Sequence, residues 1–191
     1  MTYSLLIGSN LIADITNPQP HEMYLEFIDR RLTRIVRFSD HPKALTVAQH
    51  QSLVEALVKP HARSEDDLTW ARHHDDAEAI TGDLVGPIKN FLSERNGRFL
   101  QLETGFANAI LTARGQLAGW VRTQRFYMDT SLFVHHYDRI AETLEWEFIM
   151  GLGSAPWHRA YSPEDYTVFS EWLEEHVWDL YKIGPLRGVT P

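Results

Sequence analysis

The sequence contains no cysteine, which excludes disulfides and thiolate metal ligands together. Any metal must then be held by histidine and carboxylate. No apolar run comes near the roughly 20 residues that cross a bilayer. The opening Met1-Thr2-Tyr3-Ser4-Leu5-Leu6-Ile7-Gly8 has no basic segment ahead of its short apolar run. Neither a membrane span nor a secretory signal is expected, and a cytoplasmic location is the simplest expectation. No repeat, low-complexity tract or long Pro/Gly/Ser linker divides the chain, so residues 1–191 are expected to form one domain. Positive charge is scarce, with 18 basic against 26 acidic residues and a net charge of −8. Such a surface repels a phosphate backbone, so no stable nucleic-acid complex is expected, although a small anion can still bind at a local cationic cluster. There is no Gly-x-Ser-x-Gly elbow, no Gly-x-x-x-x-Gly-Lys phosphate loop and no cysteine nucleophile.

What the chain does contain is enough apolar and aromatic side chain, 43% and 12% of residues, for a folded domain with a substantial core. Helical spacing dominates. Residues 1–20 carry the turn signals Gly8-Ser9-Asn10 and Asn17-Pro18-Gln19-Pro20 and read as an extended arm or small hairpin. From His21 to Phe38 an apolar stripe predicts a helix whose other face carries Arg30, Arg31, Arg34 and Arg37. Thr46 to Val58 predicts a second helix, ended by Pro60, with His50 in its middle. Ser64-Glu65-Asp66-Asp67 is a strong helix start, and the spacing carries that helix to near Gly82. A short helix or turn follows over 84–92, then longer helices over about 101–122 and 127–150. A last helix starts at Ser162-Pro163-Glu164-Asp165 and runs to about Ile183. The fold class expected is all-α, a helical bundle with residues 21–191 as its body.

One stretch concentrates chemistry. His73-His74-Asp75-Asp76-Ala77-Glu78-Ala79-Ile80-Thr81-Gly82-Asp83 packs two imidazoles and four carboxylates into eleven residues. Neighbouring like charges cost helix stability, so a cation held among them is one explanation. A solvated acidic helix end is the other. His50, the His74-Asp75 pair and Asp138 stand on three helical segments that can converge on one ion, leaving positions open for water and substrate. Each has a plain alternative: a lone histidine packs in a core, and Asp138 pairs with Arg139 at the surface.

The order His50…His74-Asp75…Asp138 resembles the signature of the HD-domain metal-dependent phosphohydrolases. The bacterial 5′-deoxynucleotidases and the phage HD hydrolases, including those that cleave dATP, are the more similar branches. The shared run is His74-Asp75-Asp76-Ala77-Glu78 through Gly82-Asp83-Leu84, with Pro87 and Lys89 after it. Arg37-Phe38-Ser39-Asp40-His41, Thr46-Val47-Ala48-Gln49-His50 and Asn17-Pro18-Gln19-Pro20 resemble segments of the phage branch. The likeness covers residues 7–90 and, farther on, Asp138 with its helix. Asp40 departs from the phage pattern, which has Gly, and Val85 stands where several relatives have Pro. A shifted register with His73 as ligand exists, but only His74 aligns Glu78 and Asp83 with the family.

The resemblance implies an HD-domain helical bundle with His50, His74, Asp75 and Asp138 as ligands of a divalent ion (Co, Mn, Mg or Zn). It implies that Glu78, four residues after His74 and on its face if the helix continues, orients or deprotonates water, with Asp75 also catalytic. Asp83 matches a carboxylate that reads a deoxyribose 3′-hydroxyl, and Arg37 a substrate-binding arginine. Phe38 matches an aromatic that stacks on the base or walls the pocket. Lys89 stands where it can assist with phosphates, an exposed lysine on a short helix being the alternative. The expected substrate is a deoxynucleotide, with a dNTP triphosphohydrolase of the dATP type favoured over a 5′-deoxynucleotidase. A non-catalytic nucleotide-binding module and an HD-type nuclease are the other readings. A homo-oligomer, dimer or hexamer, is implied, and the host cytoplasm if the gene is a phage's. The patch around Arg122 and Arg125 has two readings, a polyphosphate contact or a subunit interface.

Overall fold

The computed structural model describes residues 3–116 and 126–176 of the chain. It is mostly helical with a short N-terminal hairpin, as the periodicity predicts. In the hairpin, β1 (Leu5–Ile7) pairs antiparallel with β2 (Asn10–Ile12) through the two-residue turn Gly8-Ser9. Gly8 has φ +59°, and an added Cβ would lie 2.6 Å from the Tyr24 ring, so the turn needs glycine both for its backbone and for its close approach.

Eight helices follow among the described residues: α1 (Leu25–Leu32), α2 (Val47–Val58), α3 (Glu65–His73), α4 (Glu78–Thr81), α5 (Gly86–Asn96), α6 (Arg98–Ala113), α7 (Leu132–Leu144) and α8 (Pro163–His176). Their ends follow from local chemistry. Thr46 and Gln49 form a reciprocal capping box that starts α2. Ser64 accepts the Asp67 N–H to start α3, and Ser162 with Asp165 does the same for α8. α7 is flanked by two π-helical segments, Phe126–Ser131 and Glu145–Ile149.

Helix α2 is the spine. Leu53, Val54, Leu57 and Val58 face one apolar cluster with Val134, Ile140 and Leu144 of α7 and Phe169 and Trp172 of α8. Val47, at its other end, belongs to a second cluster with Ile7 and Ile12 of the hairpin, Ile28 and Leu32 of α1, and Phe106 and Ile110 of α6. Between these clusters α2 buries His50 completely. A rigid, doubly anchored helix therefore fixes that imidazole.

Three predicted helices are shorter than their periodicity. The one expected over about 101–122 spans Arg98–Ala113. The helix expected over 21–38 spans only Leu25–Leu32. Val36 leaves it to form a bridge with Thr46, and Arg37 donates its N–H to the Leu45 carbonyl. The helix expected from Ser64 to Gly82 breaks after His73; residues 74–77 form a turn before α4. His74 and Glu78 therefore do not share a continuous helical face, contrary to the expectation. Arg122, Arg125 and the end of the last helix beyond His176 lie outside the described residues.

Candidate metal centre

His50 enters the centre from α2, His74-Asp75 from the turn after α3, and Asp138 from the second turn of α7. One atom each of His50, His74 and Asp75 lies within 4.8 Å of the others, a grouping able to hold a metal ion. Asp138 stands beside this grouping, its Oδ1 3.0 Å from His50 Nε2 and 3.9 Å from His74 Nε2. Asp75 Oδ2 lies 3.8 Å from His50 Nε2 and 3.2 Å from His74 Nε2. His73 instead turns to Asp76, which is buried and also contacts Gln51 and Arg114. The register with His74 is the one that converges.

Both imidazoles have their outer nitrogen engaged. His74 Nδ1 lies 2.9 Å from the Ala71 carbonyl, an obligate acceptor, so Nδ1 carries a proton and Nε2 is the nitrogen left to face an ion. That Nε2 is buried and makes no hydrogen bond. His50 Nδ1 is hydrogen-bonded to Glu145, turning His50 Nε2 toward Asp75 and Asp138. A carboxylate or carbonyl behind each ligand histidine is the usual arrangement around a bound ion. With both imidazoles deprotonated at Nε2, two nitrogens and two anionic oxygens would suit a divalent cation, and the orphaned His74 Nε2 is the atom such an ion would satisfy.

The electrostatics agree. Burial opposes charge on Asp75, yet the neighbouring His74 outweighs it and holds the carboxyl well below the usual range. Asp138 is held low in the same way, by its hydrogen bonds to His135 and His50. Burial and the nearby Arg37 oppose a charge on His50, but Glu145 and Asp138 prevail and push it up to about 10. The acids thus draw positive charge into the cluster.

Arg37 is buried beneath it. Its guanidinium lies 3.4 Å from Asp75, 3.3 Å from Glu142 and 3.5 Å from Glu145. It also lies 5.4 Å from the Phe38 ring centre. Phe38 and Ser39 are both left-handed, with φ of 52° and 56°, a strained pair for residues other than glycine. Asp83 braces them, its Oδ2 accepting the Phe38 N–H at 3.1 Å. This turn sets Phe38 parallel to Trp157 at 6.3 Å and edge-on to Trp146 at 5.9 Å. Both indole N–H groups are buried and make no hydrogen bond.

On the other side of Asp75 lies a cavity of about 160 Å³, bordered by Trp70, His74, Asp75, Glu78, Lys89 and Glu103 among others. Lys89 is not the exposed lysine of the plain alternative. Its ammonium lies 2.5 Å from Glu78 and 3.5 Å from Glu103, and these carboxylates hold it above the usual lysine range against its burial. Burial, reinforced by Asp75 and opposed by the Lys89 ammonium and Arg37, pushes the Glu78 carboxyl up to about 8.

Glu145, Glu142, Glu103, Trp146 and Trp157 were not assigned to the site by sequence reasoning. One signal was there. Glu142 and Glu145 follow Asp138 by four and seven residues, the spacing of one helical face. No family model matches the chain, and no curated protein matches it.

Proposed function

We propose that the protein is a divalent-metal-dependent phosphohydrolase of HD-domain type acting on a deoxynucleotide, a dNTP triphosphohydrolase or a closely related 5′-deoxynucleotidase. The observation that carries this reading is the pair of imidazoles whose Nδ1 atoms are engaged and whose Nε2 atoms meet at Asp75 and Asp138. His50, His74, Asp75 and Asp138 would hold the ion. When bound, a divalent ion supplies Lewis acidity to water and to phosphoryl oxygens.

The chain's own residues divide the remaining work. Glu78, whose carboxyl burial and Asp75 push up, is suited to take a proton from the attacking water and return it to the leaving 5′-oxygen. Lys89 links Glu78 to the cavity and would exchange that ion pair for a phosphoryl oxygen. Arg37, paired with Asp75, would add positive charge near a phosphate bound at the centre. Asp83 spends one oxygen on the Phe38 N–H and keeps a second acceptor for a sugar hydroxyl. The Phe38–Trp157 pair offers an aromatic wall for the base.

A second reading is favoured by one contact. The close Lys89–Glu78 ion pair neutralises the candidate base, as suits a nucleotide-binding module without turnover. Product analysis separates the two. The protein is incubated with each dNMP, dNTP and rNTP and with Mg, Mn or Co, beside Asp75→Ala. Tripolyphosphate with deoxynucleoside marks a triphosphohydrolase, and orthophosphate from dNMP alone marks a 5′-deoxynucleotidase. No turnover with metal bound sinks the enzyme reading.

A further inference from the structure

Three arginines, Arg30 and Arg31 in the last turn of α1 and Arg34 just beyond it, take no part in the metal centre. Arg30, Arg31 and Arg34 border a cavity of about 410 Å³ together with Phe27, Ile35 and Gly82. None of these six residues borders the cavity beside the metal centre. The volume falls in the range of small-molecule sites, roughly 300–1,000 Å³.

The charge is uncompensated among the described residues. Among the described residues, no carboxylate lies within ion-pair distance of Arg30, Arg31 or Arg34, although the whole chain carries −8. The two acids of α1 are engaged elsewhere: Asp29 pairs with Arg114, and Glu26 accepts the Tyr24 hydroxyl. The C-terminal dipole of α1 favours one or two cations at its last turn, worth about 0.3–1 kcal/mol each. It does not account for three guanidinium groups around one concavity, where they repel one another. Phe27 adds an aromatic face, with the Arg31 guanidinium 6.0 Å from its centre.

We propose that this cavity is a second anion site, one that takes a polyphosphate. Three planar forks of donors match the oxygens of linked phosphates, and arginine binds phosphate by paired, charge-assisted hydrogen bonds. A single phosphate satisfies one fork; a tri- or tetraphosphate chain satisfies all three. Phe27 gives a nucleoside attached to such a chain a surface to stack on. Gly82, the residue that ends α4, borders the cavity, and Glu78 begins that same helix. An occupant would therefore sit at the opposite end of α4 from Glu78.

The test is calorimetric titration of inorganic tripolyphosphate, and of orthophosphate, into full-length protein. Wild type, Arg30→Ala/Arg34→Ala, Arg31→Ala and Asp75→Ala are compared. Tripolyphosphate is expected to bind wild type and Asp75→Ala alike, and more tightly than orthophosphate. The double variant is expected to weaken binding by at least about tenfold, and Arg31→Ala by less. These side chains are exposed, so unchanged circular dichroism and melting are expected for the variants. No binding to wild type overturns the proposal, as does binding that survives the double variant or is lost in Asp75→Ala. Failure of the double variant to self-associate where wild type does, with tripolyphosphate binding unchanged, assigns the arginines to a subunit interface and also overturns it.

Discussion

Glu145 hydrogen-bonds His50 Nδ1 at the floor of the centre, and both side chains are fully buried. The same carboxylate lies 3.5 Å from Arg37, so one acid orients the candidate ligand His50 and anchors the buried guanidinium beneath it. Glu145→Gln keeps the shape but loses the charge. It is expected to weaken metal affinity by about 10–100-fold, as loss of a partner behind a ligand histidine does. Titration with Mn or Co measures this, and unchanged affinity would show that Glu145 does not tune His50.

Glu78 separates binding from chemistry. It lies beside the ligand cluster but belongs to none of the close nitrogen–oxygen contacts that define it. Glu78→Gln is expected to lower kcat by about 10²–10⁴-fold, the usual range for a positioned acid–base. Metal content should stay at the wild-type level. Loss of metal together with activity would make Glu78 structural.

How much of this was legible beforehand depends on what each residue answers to. Thr46 and Pro60, which bound α2, and the Ser64 start of α3 are local signals, and α2 and the beginning of α3 stand where the sequence puts them. The break after His73 is not local. Asp75 turns to Arg37 and Asp76 to Arg114, contacts 38 residues apart in both cases, and these override the helical periodicity. Val36 leaves α1 for a bridge to Thr46 for the same kind of reason. Order and spacing put forward His50, His74, Asp75 and Asp138 only beside plain alternatives, and the resemblance is what singles them out. The tautomers of the two histidines could not be read at all, because Glu145 and the Ala71 carbonyl fix them only in the folded chain.

Acid stability follows from Asp67. It is buried and accepts Arg63 N–H, Nε and a terminal nitrogen at 2.9–3.0 Å. Burial raises its carboxyl, but the Arg63 hydrogen bonds outweigh burial and hold it below the ordinary value. With the folded value below the unfolded one, this stabilisation is complete above about pH 4 and fades as pH falls through the folded value. Arg63 is half exposed, so Arg63→Ala is expected to cost about 1–2 kcal/mol at pH 7 and less at low pH. Denaturant unfolding at pH 7 and pH 3 checks the sign; an equal loss at both would contradict it.

Ser39 has no such compensation in its own backbone. At φ 56° it occupies the left-handed region, and it is exposed. Ser39→Gly is expected to stabilise the fold by about 1 kcal/mol, since glycine adopts that conformation freely. A lower melting temperature would mean that the side chain contributes more than its strain costs.

The most direct measurement is the metal content of protein dialysed against each of Mn, Co, Zn and Mg, by elemental analysis of wild type and of His74→Ala and Asp138→Ala. The account predicts one divalent ion per wild-type chain for at least one metal. It predicts a much reduced content in both variants, whose helicity should match wild type. An ion-free wild type with every metal, or full occupancy in both variants, would contradict the convergence of His50, His74, Asp75 and Asp138 as a metal centre.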